Sequence, residues 1–303
     1  MLHHFFVRVA CGVSLAILAG ACGSTAPIGR TTTSHSRLRS AGVLGIPRDR
    51  KLHFLTKLAR GGRGSTATAP RSKGPVRFRD TELHVAVANA GEPLAFSLYV
   101  SEQQDFTVYP SSASVARVTI DGDVRFVSAS DRQHWIAAGR LRLPRASRAG
   151  QVATSPAGSF TFLPQGTPLS YRAATALPTS ASDVARVVRA HLLPYVGPHP
   201  PAALRLREFG FLLGTAPIGR GTRAAILLAV RRLPGLRSCG TQRDPLGRRG
   251  VAACIYAANE ESVVLFDPRT AAVLAVEQRL RSPAVLFPGL PAGAIIEYDA
   301  FSA

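Results

Sequence analysis

Between Arg232 and Leu280, turn-forming residues divide the chain into short apolar runs at near-regular intervals, a spacing that suits an antiparallel β-meander. Pro234-Gly235 ends a preceding helical pattern, and Asp244-Pro245-Leu246-Gly247, Asn259-Glu260-Glu261 and Asp267-Pro268 separate four runs. Each run is too short for a helix and reads as a strand. A symmetric hairpin about the first of these turns sets Cys239 and Cys254 directly opposite each other. They form a disulfide if the chain is exported, and two buried free thiols are the alternative.

The chain has 303 residues, 46% of them hydrophobic, enough for a sizeable core. Its net charge of +19 invites a nucleic-acid reading. The distribution of charge removes that reading. Thirteen basic residues lie between Cys22 and Arg79 with Asp49 as the single acid, whereas residues 80–303 hold 23 basic and 17 acidic residues. The basicity belongs to one segment, and no nucleic-acid partner is expected.

Arg8 precedes an apolar run ending at Ala21. The run is too short for a bilayer span of about 20 residues but suits the core of a signal peptide. Leu18-Ala19-Gly20-Ala21-Cys22, followed by Gly23-Ser24, resembles the bacterial lipobox, in which small residues fit the lipoprotein signal peptidase and the cysteine receives diacylglycerol. An ordinary secretory signal with an incidental cysteine is the alternative. On the lipobox reading residues 1–21 are removed and Cys22 carries two acyl chains, which anchor stably where one does not. The protein then sits on the extracytoplasmic face of the cell membrane. Cys11 leaves with the signal peptide, so Cys239 and Cys254 remain together in an oxidising compartment, with no cysteine left for catalysis or metal.

Residues 22–79 are rich in Ser, Thr, Gly, Pro and Arg without lasting periodicity and read as a basic, flexible tether. Within it, residues 37–60 alternate basic and apolar side chains, which suits contact with an anionic leaflet or a plain solvated tether. Residues 80–303 read as a single α+β domain, with strands in 80–177, helices in 181–234 and a β-meander in 235–303. The expected fold is a large curved antiparallel β-sheet with a cluster of about three helices inserted before the C-terminal meander. In the first part, eight short runs from Leu83 to Leu177, including His134-Trp135-Ile136, read as strands. A three-residue loop over Asp121-Gly122-Asp123 would pair Ile120 with Val124 and Val118 with Phe126.

The expected helices begin after Ser182, at Pro201 and at Gly221 or Thr222, the last with Ile226, Ala229, Val230 and Leu233 facing inward. The segment from Gly214 to Thr222 imitates a phosphate-binding loop, but Arg220 and Gly221 stand where Lys and Ser or Thr are needed, so it reads as a turn between helices. There is no Gly-x-Ser-x-Gly elbow, no His-Glu-x-x-His and no close Cys/His cluster. Glu260-Glu261 reads as a solvated pair in a turn rather than an acid/base pair. Arg248 reads as exposed.

Leu177-Pro178-Thr179, Leu233-Pro234-Gly235, Asp244-x-x-Gly247-Arg248-x-Gly250-Val251, and Phe266-Asp267-Pro268-x-Thr270 with Val273-Leu274 follow one another in an order that resembles a family of uncharacterised exported or membrane-anchored actinobacterial proteins. The resemblance covers roughly residues 130 to 282. It implies a membrane-associated protein often encoded near extracytoplasmic-function sigma factors, with no established activity. This chain departs from the family in carrying a lipobox in place of an amino-terminal transmembrane helix. The order strands, helices, strands is also similar to the half-barrel of bacterial lipoprotein carriers, a likeness of architecture alone.

These readings lead to a lipid-anchored binding or scaffold protein without catalytic residues, metal or cofactor. Its expected partners are the membrane, through its anchor, and an apolar ligand or an envelope protein. Trp135 and Phe126 are the candidate lining of an apolar groove, with core packing as the alternative for Trp135. A regulatory partner of an envelope-stress sigma system is the second reading. A hydrolase joining His134 or His191 to a carboxylate is the third.

Overall fold

The computed structural model describes residues 52, 55–56, 74–88, 93–283, 287 and 289–302. Its strands are β1 (Val76–Ala88), β2 (Phe96–Val108), β3 (Ser114–Phe126), β4 (Val152–Ser155), β5 (Arg237–Arg243), β6 (Arg249–Tyr256), β7 (Glu260–Phe266), β8 (Val273–Leu280) and β9 (Ile295–Ser302). All nine join one antiparallel sheet in the order β4-β3-β2-β1-β9-β8-β7-β6-β5. It consists of two meanders, β1–β4 and β5–β9, fused where the first strand pairs with the last.

This order places β4 and β5 at opposite edges, about 38 Å apart at the usual strand spacing. The chain between them therefore has to traverse the sheet, and it does so largely as helices: α2 (Tyr171–Thr175), α3 (Ala181–Val196), α4 (Ala202–Thr215) and α5 (Arg220–Arg231). A further helix, α1 (Ala129–Ala137), follows β3. Helix α4 lies directly on β6, β7 and β8, while α3 and α5 pack on each other and on α4. The core between helices and sheet gathers Val184, Val188 and Leu192 of α3, Leu206, Phe209 and Leu212 of α4, and Ile226 and Val230 of α5 over Phe78, Val264, Val276 and Phe301 of the strands. Two glycines on α4 allow the close approach. A Cβ on Gly210 would stand 2.6 Å from Val276 Cγ2, and one on Gly214 would stand 2.5 Å from the Phe301 ring. The expected inward stripe of α5, including Ala229 and Leu233, is buried.

The C-terminal meander follows the reading of its turns, with one adjustment: β7 begins at Glu260, and Ala257 donates its amide to Glu260 O across the preceding turn. The amino-terminal half differs more. The runs on either side of Glu102-Gln103-Gln104 fuse into the 13-residue β2, and those on either side of Asp121-Gly122 fuse into the 13-residue β3. The expected three-residue hairpin does not form. Ile120 faces Gln103, Val124 faces Val100 and Phe126 faces Leu98, with a register shift at Ser101 to Gln104. Gly122 is required by a crossing loop instead, because it donates to Ser147 O at 2.6 Å and a Cβ there would lie 2.9 Å from Ser147 N.

His134-Trp135-Ile136, expected in a strand, lies in α1. The local cap outweighs β propensity here: Ser128 Oγ accepts the Asp131 amide at 3.1 Å, and the buried Asp131 carboxylate accepts Ser97 N at 2.7 Å. The runs 159–164 and 169–177 are also not strands. Phe160 and Phe162 sit in irregular chain, and Tyr171 opens α2. Their rings pack edge-on against one another and over the stacked Phe78–Phe106 pair.

The tether boundary is also corrected. Strand β1 starts at Val76, before residue 80, and Leu52 and Leu55 are buried in the main core. Arg231 donates to Thr56 Oγ1. Leu52 and Leu55 thus contribute to the protein's own core.

Candidate functional site

Helix α4 is buried on nearly all sides from Leu206 to Leu213, yet Arg207 and Glu208 stand in the middle of it. Arg207 reaches across to the sheet. Its Nη1 donates to Gln278 Oε1 of β8 at 2.6 Å, and its Nη2 pairs with Glu297 Oε1 of β9 at 2.6 Å. Gln278 in turn donates to Glu260 of β7. One helix residue therefore ties three adjacent strands together. Burial alone depresses the Arg207 guanidinium, but the negative charges of Glu297 and Asp299, with the hydrogen bond to Glu297, oppose it and its pKa is raised.

Glu208 is 1% exposed, and neither carboxylate oxygen has a hydrogen-bond partner of good geometry, although the Gln165 backbone is close. Burial pushes its pKa up to about 8, and Glu297 adds to the rise. Arg207 and the nearby Gln165 backbone oppose this without outweighing it. At neutral pH Glu208 is a protonated acid beside a fixed cation. Desolvation is the cause, as for any carboxyl that is cheaper to neutralise than to bury charged.

Next to this network, Asp80 and Glu82 of β1 and Asp299 of β9 bring carboxylate oxygens within 4.8 Å of one another. Glu82 and Asp299 are register partners, and Asp80 faces Phe301. Asp80, Glu82 and Asp299 each have polar partners of their own.

A second polar hub secures the Asp-x-x-Gly-Arg turn. Arg248, expected to be exposed, is half-buried: its Nε donates to Asp244 Oδ2 at 2.6 Å, Nη1 to Phe301 O at 2.6 Å and Nη2 to Leu274 O at 2.8 Å. The Asp244 side chain is fully buried and also accepts the Arg248 amide at 2.7 Å. Gly247, at φ 80°, supplies the left-handed turn residue. The motif thus fastens the β5–β6 hairpin to β8 and to the C-terminal strand.

The Cys239 and Cys254 sulfurs are at bonding distance, with Cα atoms 6.0 Å apart. The two residues are not opposite each other, in contrast to the symmetric reading. Cys254 faces Arg237, and the register shifts between Ser238 and Thr241, where Gly240 has φ 79°. A bulge of this kind leaves an unpaired residue on β5, and Cys239 reaches its partner diagonally.

Phe126 and Trp135 come together, rings 5.4 Å apart, and the indole donates to Leu141 O at 2.7 Å. The indole polar edge is satisfied within its own chain, and the ring covers Phe126, an arrangement of packing. His134 Nδ1 contacts Ala95 O at 2.9 Å and His191 Nδ1 contacts Thr167 O at 2.8 Å, so each histidine is engaged with backbone rather than with a carboxylate. The segment that imitates a phosphate loop lies between α4 and α5, as expected of a helix-to-helix turn.

A cavity of about 380 Å³ is lined by Thr241, Arg249, Gly250, Val251, Asp267, Pro268 and Arg269, and one of about 140 Å³ by residues including Glu102, Asp121 and Tyr298. Neither is lined by Arg207, Glu208, Phe126 or Trp135. Arg207, Glu208, Asp80 and Asp299 were not singled out from the sequence. The visible signal was an adjacent Arg207-Glu208 pair leading into the apolar run from Phe209 to Leu213. Cys22 and residues 1–21, expected to form a signal peptide, lie outside the described residues, and no helix among the described residues is long and apolar enough to cross a membrane. Comparison of the chain with family models, with curated proteins and with solved structures finds no match.

Proposed function

We propose that this chain is a lipid-anchored scaffold or binding protein of the extracytoplasmic membrane face, held through Cys22 and acting by docking rather than by catalysis. The observation that carries the reading is the lipobox-like Leu18–Cys22 run in a chain whose two domain cysteines lie at bonding distance. A disulfide suits an oxidising compartment. The sheet curves round its helix cluster in this reading, with surface faces as the binding elements. Docking is favoured over an apolar groove because the space between helices and sheet is filled by Phe209, Leu212, Ile226 and their neighbours, and because Phe126 and Trp135 pack on each other.

The burial of Leu52 and Leu55 alters the geometry of the anchor. From Cys22 to Leu52 the chain can span at most roughly 100 Å, about half the reach of a tether running to residue 79. On this reading the bilayer is within that reach of the domain.

The test is palmitate labelling and membrane fractionation in the host. The parent chain is expected to incorporate label and sediment with membranes, and Cys22→Ser to lose both. Unlabelled parent protein, or Cys22→Ser still labelled, would overturn the proposal.

A further inference from the structure

Helix α3 spends its apolar stripe, Val184, Val188 and Leu192, on the core. Its last turn then presents four consecutive exposed non-polar residues, Leu193, Pro194, Tyr195 and Val196, with Leu193 at 49%, Tyr195 at 67% and Val196 at 41% exposure. The outward side of an amphipathic helix is normally polar, and an exposed apolar run of this length is a fault unless it has a use. The turn that follows holds the tip in place: Gly197, at φ 77°, donates its amide to Leu193 O, and Pro198, Pro200 and Pro201 stiffen the short link to α4.

The charge beneath the tip is positive. Arg186 is paired with Asp183, but the exposed Arg189 is close enough to Arg205 of α4 for the two cations to repel. Arg205 Nε is buried without a hydrogen-bond partner, and burial together with Arg189 depresses its pKa. An apolar tip above two neighbouring guanidiniums that repel each other calls for a partner that is oily in its interior and anionic at its surface.

We propose that the α3 tip docks into an anionic lipid leaflet, with Leu193, Tyr195 and Val196 entering the headgroup and acyl boundary and Arg189 and Arg205 at the phosphates. A fluid leaflet accepts a small convex protrusion without a complementary pocket, whereas three exposed side chains fall far short of the roughly 1,000 Å² that a stable protein interface buries. Tyrosine, with an apolar ring and a polar tip, is suited to that boundary. The inference rests on the lipid-anchored reading in one respect, the presence of a bilayer within reach.

The experiment uses the full mature chain with Cys22→Ala, so that binding cannot come from the lipid, on vesicles of phosphatidylcholine with and without phosphatidylglycerol. A basic segment such as residues 22–51 can hold a chain at an anionic surface by charge alone, so the readout is depth. Tyr195→Trp in a Trp135→Phe background is expected to show a blue-shifted emission and at least two-fold quenching by brominated acyl chains. In the unlabelled series, Leu193→Ser with Val196→Ser is expected to lower partitioning about ten-fold, and Arg189→Glu to lower it on the anionic vesicles alone. Tyr195→Ser, at an exposed site, replaces the double tryptophan variant if that one fails to fold, with the same expected loss. Unshifted emission of bound protein, or parental partitioning by the serine variants, would overturn the proposal. Parental partitioning is also the outcome if the tip serves an acidic protein instead. Loss of palmitate labelling would overturn the anchor and leave this result standing.

Discussion

Replacing Glu208 by glutamine tests the physical account of the network under α4. The carboxyl is buried, with a folded-state pKa raised from 4.5 to about 8. A group whose pKa is higher folded than unfolded supports the fold fully below the unfolded value, and that support is lost as pH rises towards the folded value. For Glu208 the window is pH 4.5 to about 8. At about 1.4 kcal/mol per pH unit of pKa difference, the parent loses roughly 3 kcal/mol from this residue between pH 5 and pH 8. Glutamine keeps the shape and cannot ionise. The assay is urea unfolding of parent and Glu208→Gln under non-reducing conditions at pH 5, 6, 7 and 8, taking the difference in unfolding free energy so that other titrating groups cancel. That difference should move in favour of the variant by roughly 3 kcal/mol across the series. A difference that stays constant with pH would refute the reasoning, because it would mean that Glu208 is hydrated or paired as an anion.

Leu55→Ala should destabilise the domain by about 2–5 kcal/mol in urea unfolding, as for a fully buried leucine; an unchanged midpoint would restore residue 55 to a solvated tether. Arg248→Ala strips the buried Asp244 of its cation and leaves the Leu274 and Phe301 carbonyls without their guanidinium donors, an expected loss of about 2–4 kcal/mol after allowing for the partly exposed side chain. Arg248→Lys should recover less than half of it, since an ammonium cannot reproduce the planar fork; full recovery by lysine would show that charge alone matters.

Legibility from the sequence varied along the chain for a physical reason. From Pro234 to Leu280 each turn carries its own chemistry, with Asp-Pro steps and Gly247 at positive φ, so local residues decide where strands stop. In the amino-terminal half, polar residues such as Glu102-Gln103-Gln104 and Asp121-Gly122 looked like interruptions. They lie inside long strands because β1 and β2 pair without a break over 13 residues each, while the β2–β3 ladder absorbs the polar stretch as register shifts between Ser101 and Gln104. Trp135 and its neighbours had strand-like character, and the cap at Ser128 made them a helix.

The identity of the paired cysteines was legible because only two remain once the amino-terminal segment is set aside, yet their diagonal geometry depends on the bulge at Cys239-Gly240. The candidate site was legible only as the Arg207-Glu208 pair ahead of the apolar run from Phe209 to Leu213. Its partners, Gln278, Glu297 and Asp299, are 70 or more residues away in the chain. Periodicity and turn chemistry are local quantities, so the sequence by itself determined the α+β class, the C-terminal meander and the inward face of α5. The fusion of two meanders through β1 and β9, the return of Leu52 and Leu55 to the core, and the burial of Glu208 were decided by tertiary structure, since each depends on which distant surface arrives to exclude water.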